Sequence, residues 1–204
     1  MKSNDNKQFW NRVSHRYDFI IKKDAKAYEM MYSYMADDLK SDMHALELAT
    51  GTGLISLRIA EHVKSVIATD FSPEMVAEAK KKTAPDNLHF SVEDATALTF
   101  QGDSFDVVII SNALHIMSEP ERVLAEVHRV LKPDGILIAP SFTHRGSLKQ
   151  RLLSRAMSLT GFKVFHKWTP ESYVQFLSAN GFAIRRHEII CATFPLVYAV
   201  AAKN

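Results

Sequence analysis

The chain has 204 residues, 47% hydrophobic and 24% charged, with a formal net charge of +2 and a single cysteine. That length and apolar content fit one well-cored domain over 1–204, and the small charge with dispersed Lys and Arg gives no reason to expect a nucleic-acid partner. One cysteine, Cys191, excludes an intrachain disulfide and any multi-cysteine zinc site, and its apolar neighbours Ile189 to Ala192 predict a buried thiol. The polar start MKSNDNKQFW lacks the apolar centre of a signal peptide, and no run approaches the roughly 18 apolar residues of a membrane span, so a cytoplasmic protein is expected.

Gln8 to Leu39 carries apolar and aromatic residues at mixed three- and four-residue spacing, which predicts two amphipathic helices broken near Lys22 to Asp24. Lying ahead of the first strand, residues 1–40 are expected to fold over the ligand edge of a sheet as a lid, the alternative being extra core helices. Ala45 to Ile59, ALELATGTGLISLRI, then reads as a strand, a tight glycine turn and a helix. Glycine at the turn permits positive φ and leaves no Cβ in the way of a ligand at the helix start, although many α/β connections use such a turn for geometry alone.

From there the elements alternate. Strands are predicted at Ala45 to Ala49, Val66 to Asp70, Leu88 to Val92, Phe105 to Ser111 and Gly135 to Phe142, each a short apolar run suited to a sheet buried on both faces. Ser72-Pro73-Glu74 starts a helix over Met75 to Thr83, and Ser118-Glu119-Pro120-Glu121 has capping-box spacing before Val123 to Leu131. Lys132-Pro133-Asp134-Gly135 turns the chain into the fifth strand. Residues 143–168 interrupt the rhythm with a helix predicted at Ser147 to Ser158, placed to wall a substrate pocket; a solvated surface helix, or weak surface association with a membrane, is the other reading. Thr169-Pro170-Glu171 opens a last helix that Gly181 stops, and strands at Phe182 to Ile190 and Phe194 to Ala201 complete the count. The expectation is a doubly wound, mostly parallel α/β sheet of seven strands, binding ligands at the strands' carboxyl ends.

Acids stand at those ends. Asp70 closes the second strand 17 residues after Gly53, near the spacing at which nucleotide-binding α/β folds place a ribose acceptor. Its alternative role, capping the next helix, is already served by Ser72. Asp94, with Ala95, ends the third strand where a carboxylate can take an adenine amino hydrogen, and Phe71 and Met75 can cover the ring, core packing being their plainer role.

The segments LELATGTG, VIATDFSPEMV, VEDATAL, FDVVIISNALH and VLKPDGILI resemble, in order, the motifs of the class I S-adenosylmethionine-dependent methyltransferases, in particular the small-molecule group related to the quinone-biosynthesis C-methyltransferases. The resemblance is strong over Phe9 to Phe142. It implies a Rossmann-like fold with S-adenosyl-L-methionine as cofactor. Glu47 and the turn Ala49, Thr50, Gly51 and Gly53 would hold the methionine part, Asp70 the ribose, and Asp94 the adenine. Ser111 to His115, including Asn112, would lie beside the methionine group and the substrate. Tyr17-Asp18 resembles a family pair whose tyrosine approaches the cofactor. One departure stands out: the family usually has glycine where this chain has Ala49, and a methyl there would narrow cofactor access.

Physical chemistry points the same way. A dinucleotide needs its turn open to pyrophosphate, whereas Glu47 beside this turn is unfavourable to phosphate and suits an ammonium; hydride transfer with NAD is therefore the second reading, and a non-catalytic adenosyl-binding module the third. No metal or nucleophilic-triad constellation is read, and methyl transfer requires none, because the sulfonium activates the methyl group. Phe9, Trp10, Tyr28, Met31, Phe162, Phe165 and Trp168 favour a small, partly apolar acceptor such as a quinone, phenol, lipid head group or amine. His115 would stand in the substrate pocket, as a general base or, the favoured reading, as a residue that positions the loop.

Overall fold

The computed structural model describes residues 9–11, 14, 22–144 and 163–204. The expected helix Ser147 to Ser158 and the candidate Tyr17 lie outside the described residues. An 8-stranded sheet is built from β1 (His44–Leu48), β2 (Ser65–Asp70), β3 (Leu88–Val92), β4 (Phe105–Ile110), β5 (Leu131–Ile138), β6 (Ser141–Phe142), β7 (Phe182–Ile190) and β8 (Leu196–Lys203). The order runs β3-β2-β1-β4-β5-β8, with β6 and β7 also pairing β8. The first five strands are parallel, and β8 is antiparallel to its neighbours. Reversal of the strand order between β2-β1 and β4-β5 opens a crevice at the carboxyl ends of β1 and β4.

Seven strands become eight because of one residue. β5 and β6 pair β8 in continuous register, Ile138 opposite Val200 and Ser141 opposite Val197, and Ala139 N–H still donates to the Ala199 carbonyl at 2.8 Å. Pro140 has no N–H to give, so the ladder breaks there. The predicted turn at Lys132 to Gly135 appears as a bulge between the pairs Phe105–Leu131 and Val107–Ile136, and β5 therefore begins before the turn that was expected to precede it.

Alternation along the strands fills two layers. Ala45, Val66, Val107, Ile109, Ile136 and Ile138 pack on one face with α1 (Ala25–Asp38) and α2 (Leu54–Ile59). Leu46, Leu48, Val108, Ile110 and Leu137 pack on the other with α4 (Pro120–Val130) and α5 (Pro170–Ala179). Within α1, Ala27, Tyr28, Met31 and Met35 recur at helical spacing and are buried in the first layer, so this helix packs as part of the core. No helix among the described residues is long and apolar enough to cross a membrane.

Local chemistry sets the helix ends. α3 (Pro73–Lys80) starts as the sequence predicts, Ser72 Oγ accepting the Met75 amide at 3.1 Å with Pro73 in the first turn. α5 has a reciprocal box between Thr169 and Ser172 and ends before Gly181 at φ +87°. The box expected at Ser118 does not form: Pro120 takes the first helical position, which makes Glu119 the cap residue, and its side chain makes no capping bond. Cys191, expected in the interior, is exposed beyond the end of β7.

Candidate active site

β1 delivers Glu47 to the crevice and then turns sharply. Ala49, Gly51 and Gly53 all take positive φ, at +53°, +58° and +77°. Glycine at 53 is required by packing as well as by φ, since a Cβ there would sit 2.8 Å from the Phe90 ring. Beneath the turn the Glu47 carboxylate is buried, accepting hydrogen bonds from Thr50 Oγ1 at 2.7 Å and from Ser56 Oγ. Burial raises its pKa from 4.5 to about 7; the two hydroxyls oppose that rise, and the charge on Asp70 adds to it.

At the end of β2, Asp70 joins two loops. Its Oδ2 accepts the Gly51 amide and its Oδ1 the Ser72 amide, both at 2.8 Å. Desolvation raises its pKa, and these N–H groups pull it back. Past β3, Asp94 Oδ1 accepts Thr96 N–H at 2.9 Å and Thr96 Oγ1 at 2.7 Å, closing a local turn. Past β4, Asn112 takes φ +53°, a conformation its residue type tolerates. Its Oδ1 accepts the Phe142 amide and its Nδ2 donates to Tyr28 Oη, each at 3.1 Å. The side-chain amide thus ties β4 to β6 and α1.

These loops wall one cavity. It is lined by Ala49 and Gly51 from the turn, Thr69 to Ser72 and Met75 from β2 and α3, Glu93, Ala95 and Thr96 after β3, and Ser111 to Ala113 with Ile116 to Glu119 and Val123 after β4. Trp10 and Phe165 complete it from distant parts of the chain, and Ser72 Oγ donates to Asn11 Oδ1 at 2.6 Å, fixing Trp10's neighbour to the β2–α3 loop. Three carboxylates, Asp70, Glu93 and Glu119, stand among the described lining residues, with no Lys, Arg or His.

The sequence-derived candidates thus fall into two groups. Ala49, Gly51, Asp70, Phe71, Met75, Ala95 and Asn112 line the cavity, whereas Glu47, Thr50, Gly53 and Asp94 stand behind the lining and hold its shape. His115 is buried outside the lining, its Nδ1 3.4 Å from Ser141 Oγ, and its carbonyl accepts the amides of Phe165 and His166. Burial, helped by charge on His144 and His166, lowers its pKa to about 3. Of the apolar residues expected near an acceptor, Tyr28 and Met31 are core residues, Trp168 packs on the second layer, and Phe162 lies outside the described residues. Glu93, Thr96, Ser118 and Glu119 were not anticipated; a strand-end rule widened by a residue or two would have found the first pair.

Residues 46–139 match the methyltransferase domain family. That span runs from β1 to the end of β5 and contains the Gly turn, Asp70, Asp94 and Asn112. Over that span, a little under half of the chain, the protein is similar to methyltransferase domains. A demethylmenaquinone methyltransferase of Clavibacter sepedonicus is 36% identical over 139 residues, covering 68% of this chain and 54% of its own length. Another, from Thermus thermophilus, is 32% identical over 140 residues, 65% of this chain and 64% of its own. The chain spans about half the length of the curated relatives it matches. Among solved structures, the methyltransferase in complex with the Haloferax volcanii Trm112 activator superposes with a TM-score of 0.82 at 18% identity, covering 95% of this chain and 97% of its own. A methyltransferase of Thermotoga maritima gives 0.75 at 20% identity, with 97% and 99% covered. At such identities these two likenesses speak for the fold alone.

Proposed function

We propose that the chain is an S-adenosylmethionine-dependent methyltransferase for a small, partly apolar acceptor, working as a single domain over 1–204. The observation that carries this reading is the cavity at the carboxyl ends of β1, β2 and β4, with three acids and no base among its described lining residues. A cationic ligand is favoured there, and the pyrophosphate of a dinucleotide would face like charge, which weighs against hydride transfer with NAD. The buried Glu47, whose ionisation is resisted by its surroundings, adds to the preference for a cation close to the turn.

The residues fit the cofactor part by part. Asp70 offers a carboxylate to ribose hydroxyls, and Gly51 brings bare backbone to the methionine part with the Ala49 methyl beside it. Phe71, Met75 and Ala95 supply apolar surface for adenine, with Asp94 shaping the loop that carries Ala95. Asn112 fixes the β4 loop through its two side-chain bonds. S-adenosylmethionine, when bound, supplies a methyl group activated by the sulfonium charge. The chain's part is to orient the acceptor in line and keep water out, for which Trp10 and Phe165 in the cavity wall are suited.

An acceptor of the quinone or phenol kind is favoured by these aromatics and by the names of the curated relatives. The test is calorimetry followed by turnover. Micromolar binding of S-adenosylhomocysteine, no binding of NAD, and methyl transfer to a demethylated naphthoquinol are expected. NAD binding with no response to S-adenosylhomocysteine would overturn the reading, and cofactor binding without turnover on a broad acceptor panel would favour a non-catalytic module.

A further inference from the structure

The turn after β1 is held by its surroundings. Ala49, Gly51 and Gly53 all take positive φ, and for alanine that is a strained conformation. Backbone of this kind persists only where neighbouring structure fixes it from several sides. From β2, the Thr69 carbonyl accepts the Thr50 amide at 2.9 Å and Asp70 accepts the Gly51 amide at 2.8 Å. Inside the turn, Gly53 N–H donates to the Thr50 carbonyl at 3.0 Å. A further tie arrives from just past the end of α3, where Lys82 Nζ donates to the Thr52 carbonyl at 2.8 Å.

That bond belongs to a helix laid against the turn. Ala79, in the last turn of α3, stands so near that a Cβ on Gly53 would be 3.3 Å from its own. At the other end of the helix Met75 is in the cavity wall, and the Ser72 cap donates its amide to Asp70, the side chain that also holds Gly51. The two ties on successive residues have opposite polarity: a carboxylate draws the Gly51 N–H and an ammonium draws the Thr52 carbonyl. The peptide unit joining Gly51 to Thr52 is thereby fixed from both flanks. Gly51 lines the cavity, whereas Thr52 and Lys82 do not, so the lysine bond lies behind the surface a ligand meets. Thr52 is only 2% exposed, which makes water a poor substitute for the lysine, and Lys81 is paired with Glu78 instead.

We propose that Lys82 is a positioning residue for the cofactor: by fixing the Thr52 carbonyl from behind, it holds the turn in the form that receives the methionine part of S-adenosylmethionine, and it leaves the nucleoside part unaffected. This rests on the methyltransferase reading. The bond suits such a role because it is charge-assisted, and so about twice as strong as a neutral one. It also acts on the residue next to Gly51, the point where the turn enters the cavity wall. Asp70, by contrast, serves the turn and the ribose end together, so only Lys82 separates the two halves of the site. A general structural tie would leave a different mark, since its loss would loosen the whole crevice and weaken every ligand alike.

The test compares two ligands on the full chain, S-adenosylhomocysteine and 5′-methylthioadenosine, which share the nucleoside and the sulfur but not the amino acid. Both are titrated by protein-observed NMR, which reads affinities into the millimolar range. In Lys82→Met the affinity for S-adenosylhomocysteine should fall about three- to thirtyfold, the scale on which residues out of contact with a ligand act, while that for 5′-methylthioadenosine changes by less than about twofold. Lys82→Arg, which keeps the charge and the reach, should restore most of the loss. Should Lys82→Met not fold, Lys82→Gln, a shorter and neutral donor, carries the same comparison. Equal losses for the two ligands, no loss for either, or no rescue by arginine would overturn the assignment. A wild-type chain that binds neither ligand loses the methyltransferase reading; one that binds both, with their affinity ratio unmoved in Lys82→Met, loses this proposal alone.

Discussion

Asp70 holds Gly51: one carboxylate oxygen accepts the Gly51 amide at 2.8 Å while the other accepts the amide of Ser72. A residue expected to meet the ribose is therefore also the tie between the glycine turn and the β2–α3 loop. Asp70→Ala should both loosen the site and weaken the ligand. Two amides losing their acceptor should cost about 1 to 3 kcal/mol of stability, and a ribose diol without its charged partner about 1.5 to 3 kcal/mol of affinity. Asp70→Asn keeps one acceptor oxygen and should recover part of the stability but little of the affinity. Thermal unfolding and S-adenosylhomocysteine calorimetry on both variants separate the two losses; unchanged binding in the folded alanine variant would reduce Asp70 to a loop tie.

Ala49 sits at φ +53° on the cavity wall, a conformation in which glycine is unstrained and alanine is not. Replacing it with glycine relieves about 1 to 2 kcal/mol of left-handed strain and gives back about 0.5 to 1 kcal/mol in unfolded-chain entropy. Ala49→Gly should thus raise stability by between zero and about 1.5 kcal/mol, and S-adenosylhomocysteine should bind as well or more tightly. Denaturant midpoints and calorimetry decide this. A loss of affinity would show that the alanine methyl is a contact the ligand uses.

Those two residues illustrate what could be read from the chain alone. The strand end at Asp70, the acid Asp94 just past β3 and the turn at Gly51 and Gly53 were legible because apolar runs, glycines and acids are local signals. The break at Pro140 was legible in principle, since proline cannot donate to a ladder, but its effect depends on β8 being the partner, which is a long-range fact. Ser118 shows a local rule overruled: its capping spacing is correct, yet Pro120 starts the helix one residue later and leaves Ser118 in the cavity wall. Trp10 and Phe165 reach the same cavity from opposite ends of the chain, and no spacing rule links them. Whether an acid at a strand end faces the ligand or its own turn, as with Glu93 and Asp94, is set by one residue of register.

Glu47 makes stability depend on pH. Its pKa is about 7 in the folded protein against an ordinary 4.5, so between those values the folded state holds a proton that the unfolded state has released. Unfolding free energy therefore falls as pH rises through this window, by an order of about 3 kcal/mol for a shift of this size, and levels off above the folded pKa. Glu47→Gln should remove most of that slope, which urea unfolding at pH 5 and pH 8 would reveal. A cation near the turn should favour the ionised form, so S-adenosylmethionine should raise the melting temperature more at pH 8 than at pH 6. Equal shifts at both pH values would mean that the ligand does not feel the Glu47 charge.

His115 follows β4 in the stretch SNALHIM and would be the obvious general base for an acceptor hydroxyl or carbon acid. Its surroundings oppose that role. With its pKa lowered to about 3, chiefly by burial and further by His144 and His166, the ring is neutral at pH 7 but holds a proton too weakly to draw one from an acceptor efficiently. Its bonds are those of a fastener: the carbonyl carries the amides of Phe165 and His166, and Nδ1 lies near Ser141 Oγ. A general base contributes typically 10²- to 10⁴-fold to the chemical step, whereas a positioning residue affects binding and rate together and by less. His115→Gln should therefore slow single-turnover methyl transfer by less than about tenfold, with a comparable weakening of cofactor or acceptor binding. The wild-type rate should show no inflection from His115 between pH 5 and 9, because the ring loses its proton below that range. A rate loss above about a hundredfold at unchanged affinities would return His115 to the chemistry, and would require its pKa to rise when the acceptor binds.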